Sequence, residues 1–170
     1  MKKKFGMAAS LVLMILSVLW ILSLLPFNQE IIREVPAKIY ESGIAAEDTT
    51  VDIEGTKSNP LFGKPDSFSG KFHILSYEKT AGEDMNANIK WYRNTNFQKI
   101  FYIDSGRSPE TEIMNLMLIS EDMTKFALMF NDGTILATSE ELYEIYARHF
   151  SVTGPDSMSI TDEEGIPKIK

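Results

Sequence analysis

Ala87-Asn88-Ile89-Lys90-Trp91-Tyr92-Arg93-Asn94-Thr95-Asn96 is the stretch on which the fold turns. Ala87, Ile89 and Trp91 alternate with Asn88, Lys90 and Tyr92, the period-two pattern of a strand with one face buried and the other in water. Asn94-Thr95-Asn96 is short and polar enough to return the chain into a second strand over Lys99 to Ile103. Upstream, Phe72 and Ile74 share one face while His73, Leu75 and Tyr77 share the other, and Thr80-Ala81-Gly82-Glu83-Asp84 makes a turn. Downstream, Ser105-Gly106-Arg107-Ser108-Pro109 breaks the chain. Glu112 to Ser120 and Thr124 to Asn131 then read as two further strands around Ser120-Glu121-Asp122.

Asn131-Asp132-Gly133 is the strongest turn signal, because these residues best tolerate the positive φ of a tight hairpin, and Thr134 to Ala137 is the returning strand. The last element differs in kind. Ser139 followed by Glu140 and Glu141 supplies an N-cap and acids in a first helical turn. Leu142, Ile145, Tyr146 and Phe150 follow at spacings of three and four, with Arg148 and His149 near the C-terminal end. No segment between Phe68 and Ala137 can supply the crossover helices of a parallel sheet. The expected fold class is therefore α+β: an antiparallel meander of five or six strands over residues 68–153 with one C-terminal helix packed on it, and a flexible acidic tail over 154–170.

The other end of the chain carries no charge from Phe5 to Gln29, and Met7 to Phe27 is a 21-residue apolar run interrupted by Ser10, Ser17 and Ser23. As a helix it would span about 31 Å, close to the ~30 Å hydrocarbon core of a bilayer. The sequence reading is an N-terminal membrane anchor over residues 1–27, with the transmembrane helix at 7–27 and Trp20 toward the far interface. Lys2, Lys3 and Lys4 would hold the N-terminus in the cytoplasm by the positive-inside bias, placing the C-terminal domain outside it. Secretion after signal cleavage is the alternative. Residues 28–67 read as a juxtamembrane stalk and linker: Ile31, Ile32, Val35, Ile39 and Tyr40 at helical spacing, then a polar, turn-rich stretch in which only Thr50 to Glu54 alternates like an edge strand. This layout resembles that of small envelope proteins of Gram-positive bacteria, a likeness of plan that rests on no motif and transfers no residue.

Charge and composition exclude several functions. The chain of 170 residues has a net charge of −7, and beyond the three lysines 14 bases face 24 acids. Such a surface repels phosphate backbones, so no nucleic-acid partner is expected. Absence of cysteine removes thiolate chemistry and Cys-ligated zinc. The two histidines, His73 and His149, stand in no zinc spacing, and the acids Glu83-Asp84 and Asp162-Glu163-Glu164 match no calcium loop. No G-x-S-x-G elbow or phosphate loop occurs. No cofactor, metal or catalytic residue is expected.

Aromatic residues are the remaining signal. Trp91, Tyr92, Phe101 and Tyr102 crowd the middle strands, and neighbours in a strand point to opposite faces, so one of each pair must face solvent, the helix or a partner. With Tyr146 of the helix, these are the speculative ligand- or partner-binding residues. The expected function is a non-enzymatic binding or accessory module of the cell envelope, in contact with the lipid bilayer through its N-terminal helix and with an envelope protein partner. A sensor domain holding a small ligand between sheet and helix near Trp91, Phe101 and Tyr146 is the second reading, and a His-dependent hydrolase the third.

Overall fold

Side-chain parity along residues 26–60 decides the architecture. Ile31, Val35, Ala37 and Ile39 are buried and Ile32 is 71% exposed, which is the alternation of a strand and not the stripe of a helix. The computed structural model describes the whole chain apart from residues 1, 25, 61–63, 78, 79, 81, 83, 84, 93, 105–112, 131, 155, 156, 163 and 170. After helix α1 (Lys2–Leu24) come strands β1 (Pro26–Glu41), β2 (Ile44–Pro60), β3 (Asp66–Ile74), β4 (Met85–Trp91), β5 (Gln98–Asp104), β6 (Ile113–Ile119), β7 (Phe126–Met129) and β8 (Ile135–Ala137). Helix α2 (Glu140–His149) and the hairpin β9 (Phe150–Gly154) and β10 (Ser157–Ile160) follow.

Each of the first eight strands pairs antiparallel with the next, and β8 returns to β1, closing a barrel. The β1–β8 seam is short, with Lys38, Ile39 and Tyr40 opposite Ala137, Leu136 and Ile135. Pro36 lies just beyond that seam, so its missing N–H removes none of its bonds. At the β1–β2 tip Ser42 and Gly43 both have positive φ, 50° and 88°, the two-residue connection that matches strand twist.

An eight-stranded barrel is just wide enough for side chains to fill, and here they do. Val51, Ile53, Phe68, Phe72, Ile74, Ile89, Ile100, Tyr102, Met117, Phe126 and Leu128 converge inside it. Phe72 and Phe126 meet edge to face at 5.1 Å, a favoured aromatic geometry. Gly55 and Gly70 face each other across β2 and β3. A Cβ on Gly55 would come within 2.7 Å of the Gly70 Cα and 2.9 Å of the Phe68 ring, so bare backbone is what lets Phe68 fill that wall.

A second apolar cluster lies outside the barrel. Leu118, Ala127, Met129, Ile135 and Ala137 present outward-facing side chains to Leu142 and Tyr146 of α2 and to Phe97, Phe150 and Ile166. Ser139 caps α2, its Oγ accepting the Leu142 N–H at 3.2 Å, with Glu140 and Glu141 in the first turn. Beyond the cap, β9 and β10 pair and Ile166 is buried, so described residues of segment 154–170 lie against the barrel.

Several expectations change. The five- or six-stranded sheet with one helix is corrected to a closed eight-stranded barrel with two helices. Residues 28–60 are not a stalk but two strands of the barrel wall, and β3 already begins at Asp66. Their helical spacing was an accident of Ile32 and Tyr40 on the outer face interleaved with Ile31, Val35 and Ile39 on the inner one. The membrane anchor is also corrected. Among the described residues no helix is long and apolar enough to cross a membrane. The single-pass span at 7–27 and the extracytoplasmic placement that rested on it are withdrawn; the Lys2, Lys3 and Lys4 side chains lie outside the described residues.

Candidate functional site

Three chain reversals meet at one end of the barrel, where β2 gives way to β3, β4 turns into β5 and β6 turns into β7. The β4–β5 turn is built by its own side chains. Gln98 Oε1 accepts the Tyr92 N–H at 2.7 Å, and Thr95 Oγ1 donates to the Phe97 carbonyl at 2.7 Å. Such local bonds compete with ladder pairing and hold a turn open as a loop.

The β6–β7 turn is held by Asp122. Its carboxylate accepts from Ser120 Oγ at 2.6 Å and from the N–H and hydroxyl of Thr124 at 3.2 and 2.9 Å. The Ser120 hydrogen bond first, then those of Thr124 and the nearby Arg33 charge, hold the Asp122 carboxyl down at about 2, against a partial opposing effect of burial. The turn carries Met123 at φ 61° with its side chain fully buried. A left-handed non-glycine residue costs about 1–2 kcal/mol, and burial of its side chain offsets that, so the turn closes the barrel end with Met123.

Above this plug lies Lys57, an inward-facing residue of β2 only 7% exposed. Its ammonium donates to the Glu121 carbonyl and sits 4.8 Å from the centroid of the Trp91 ring, a cation–π contact in a partly desolvated place. Burial pushes its pKa down, while Asp66, Glu121 and Asp122 pull it back up. Trp91, at the end of β4, is 8% exposed, and its indole N–H is buried without a hydrogen-bond partner. Tyr92 next to it is 42% exposed. Beside these two rings opens a cavity of about 310 Å³, whose walls include the carboxylates of Asp66 and Glu121, the amides of Asn96 and Gln98, and Ile119, Lys168 and Ile169.

The aromatic residues singled out in the sequence thus separate into three places. Trp91 and Tyr92 share the mouth cavity. Tyr102 is inside the barrel, where its hydroxyl donates to the Phe72 carbonyl at 3.1 Å and burial raises its pKa. Phe101 is half-buried on the opposite face of β5. Tyr146 is under α2, stacked on Phe150 at 4.3 Å and donating to the Leu116 carbonyl at 2.6 Å. Trp91 and Tyr146 therefore belong to separate apolar clusters.

Sequence reasoning missed Lys57, Asp66, Asn96, Gln98, Glu121 and Lys168. One signal was present: Val51, Ile53, Gly55 and Lys57 share a parity, and a lysine on the buried parity of a strand marks a wet strand end. The histidines do not join this site. His73 is half-buried on β3, and His149, buried at the end of α2, flanks Gly165 together with Asp162. Asp162 Oδ1 accepts the Gly165 N–H at 3.1 Å, which makes it a turn acid, whereas Glu83, Asp84 and Glu163 lie outside the described residues. Among the described residues no group of His, Asp or Glu could hold a metal ion. What the mouth offers is an aromatic wall, hydrogen-bond acceptors and a cation held in reserve behind the indole. No protein-family model matches the chain, and no match was found among the curated proteins or the solved structures.

Proposed function

We propose that this protein is a non-enzymatic binding module that holds a small, hydroxyl-rich molecule at the mouth of its barrel. The cavity of about 310 Å³ beside Trp91 and Tyr92 carries the reading. Barrel mouths are a recurring place for ligand sites, and such sites combine an apolar or aromatic wall with a few fixed polar groups. Here the wall is Trp91 and Tyr92, and the carboxylates of Asp66 and Glu121 accept hydrogen bonds from ligand hydroxyls. Bases and acids are nearly balanced around the cavity, with Lys57 and Lys168 against Asp66, Glu121 and Asp122, which favours a neutral ligand over a strongly ionic one.

The chain has two tryptophans, so Trp20→Phe leaves Trp91 as the single indole reporter. Titration of that variant with a set of monosaccharides, disaccharides and polyols should give a saturable change in emission for at least one of them. Asp66→Ala should weaken that response while leaving the thermal midpoint near that of the parent. Emission that stays flat across the set removes this reading.

A further inference from the structure

The chain ends in Gly165-Ile166-Pro167-Lys168-Ile169-Lys170, and residues 166–169 adopt neither helix nor strand. They lie in a groove between the β4–β5 turn, α2 and β1. Ile166 is 2% exposed within the cluster of Phe97, Leu142, Tyr146 and Phe150. The side-chain amide of Asn96 donates to the Ile166 carbonyl at 2.5 Å, a side chain reading a backbone. Lys168 pairs with Glu121 at 3.2 Å, both side chains about two-thirds exposed. Ile169 is half-buried against the same apolar cluster. Pro167 pre-orders the segment toward an extended conformation, which lowers the entropy lost on docking.

Two features set this contact apart from ordinary terminal packing. Beside Pro167, Lys168 and Ile169 the groove continues as a cavity of about 590 Å³ with Val35, Leu142 and Ile145 in its walls, so the groove is larger than the segment that lies in it. Among the described residues the segment beyond Gly165 is held by the buried Ile166 anchor, the partly buried Ile169, one hydrogen bond and one exposed ion pair, and exposed ion pairs contribute little. A pre-ordered segment held by a single buried anchor in an oversized groove is an exchangeable ligand.

We infer that this groove is a docking site for an extended peptide of apolar-Pro-basic-apolar character, and that residues 166–169 are its intramolecular competitor. Glu121 pairs with the basic residue at the rim, and Asn96 reads the backbone whatever the side chain. Tethering gives the internal segment a high effective concentration, so the resting protein is closed to peptides in trans until that segment is displaced. The groove adjoins the mouth cavity and shares Asn96, Glu121, Lys168 and Ile169 with it, but the inference does not depend on a ligand there.

The test uses the full chain and a fluorescein-labelled synthetic peptide corresponding to residues 164–170, read by anisotropy. Lys168→Glu sets two acids against each other and leaves the buried cluster intact. It should bind the peptide at least roughly threefold more tightly than the parent chain, and Ile166→Ser with Lys168→Glu roughly tenfold or more. Adding Asn96→Ala to either released variant should weaken the peptide again. Three results would overturn the inference: no peptide binding by Lys168→Glu with an unchanged melting transition, equal affinity for parent and released chains, or a concentration-dependent dimer whose groove is filled by the tail of a second copy and rejects the peptide.

Discussion

The barrel interior and its Trp91 mouth are made by the same strands, often by residues two positions apart, yet they obey opposite rules. Inside, Phe68, Phe72 and Phe126 are almost fully excluded from water, and the Tyr102 hydroxyl is paired to the Phe72 carbonyl. At the mouth, two residues beyond Ile89 and Gly55 on the same inward parity, Trp91 keeps an unpaired indole N–H and Lys57 keeps a charge. Alternation assigns a residue to the inside of a strand; position along that strand decides whether the inside is dry. The interior therefore carries stability, the mouth is where the proposed ligand would sit, and substitutions should separate the two.

The largest effect is expected in the dry region. Phe72→Ala deletes a ring packed on Phe126 and should lower unfolding free energy by about 3–5 kcal/mol in denaturant titrations. Gly55→Ala should come next, at about 1–3 kcal/mol, because its Cβ meets the Gly70 backbone and neither strand can move without breaking the β2–β3 register. A Gly55→Ala protein as stable as the parent would mean that the two strands are further apart than described here.

The mouth should respond in pH before it responds in stability. Lys57 has its pKa lowered by burial, so over a window just below the ordinary lysine range the unfolded chain binds more protons than the folded one, and stability rises with pH there. Lys57→Met should flatten that rise and shift stability near neutral pH by less than about 1.5 kcal/mol, since a buried cation and an apolar side chain of like volume are often interchangeable. Asp122 has the opposite sign. Its carboxyl is held at about 2, so it contributes stability above its unfolded value of about 4 that is lost as pH falls toward 2. The group is exposed, and Asp122→Asn should have the smallest effect of the series: a slightly lower midpoint at neutral pH and a flatter acid limb of the melting profile.

Legibility followed the range of the interactions. The alternation of Ala87, Ile89 and Trp91, the Asp132-Gly133 turn and the Ser139 cap depend on neighbours a few residues away, and all three stand in the structure. The β1–β2 hairpin was hidden, because Ile32 and Tyr40 on the outer face blur the alternation of Ile31, Val35 and Ile39 into a helical spacing. Its Ser42-Gly43 tip was nevertheless present as a two-residue turn signal. Of the site, Trp91 and Tyr92 were legible as an aromatic pair that a single strand face could not absorb. Lys57 and Glu121 were not, since their roles depend on a turn from β6–β7 reaching an inward lysine of β2.

Composition and local pattern determined by themselves that this chain would form antiparallel strands with a capped helix behind them, because backbone geometry turns a residue's spacing directly into the face it occupies. Whether those strands would end as an open sheet or close on themselves was decided only in three dimensions, at the three residue pairs joining β1 to β8. Closure is a long-range event: the accumulated twist of eight strands must bring the first against the last, and no short window of sequence records that sum. The mouth exists only after it happens. Lys57, Asp66, Trp91, Gln98 and Glu121 come from separate strands and turns, and they become neighbours because the curled sheet carries their ends to one rim.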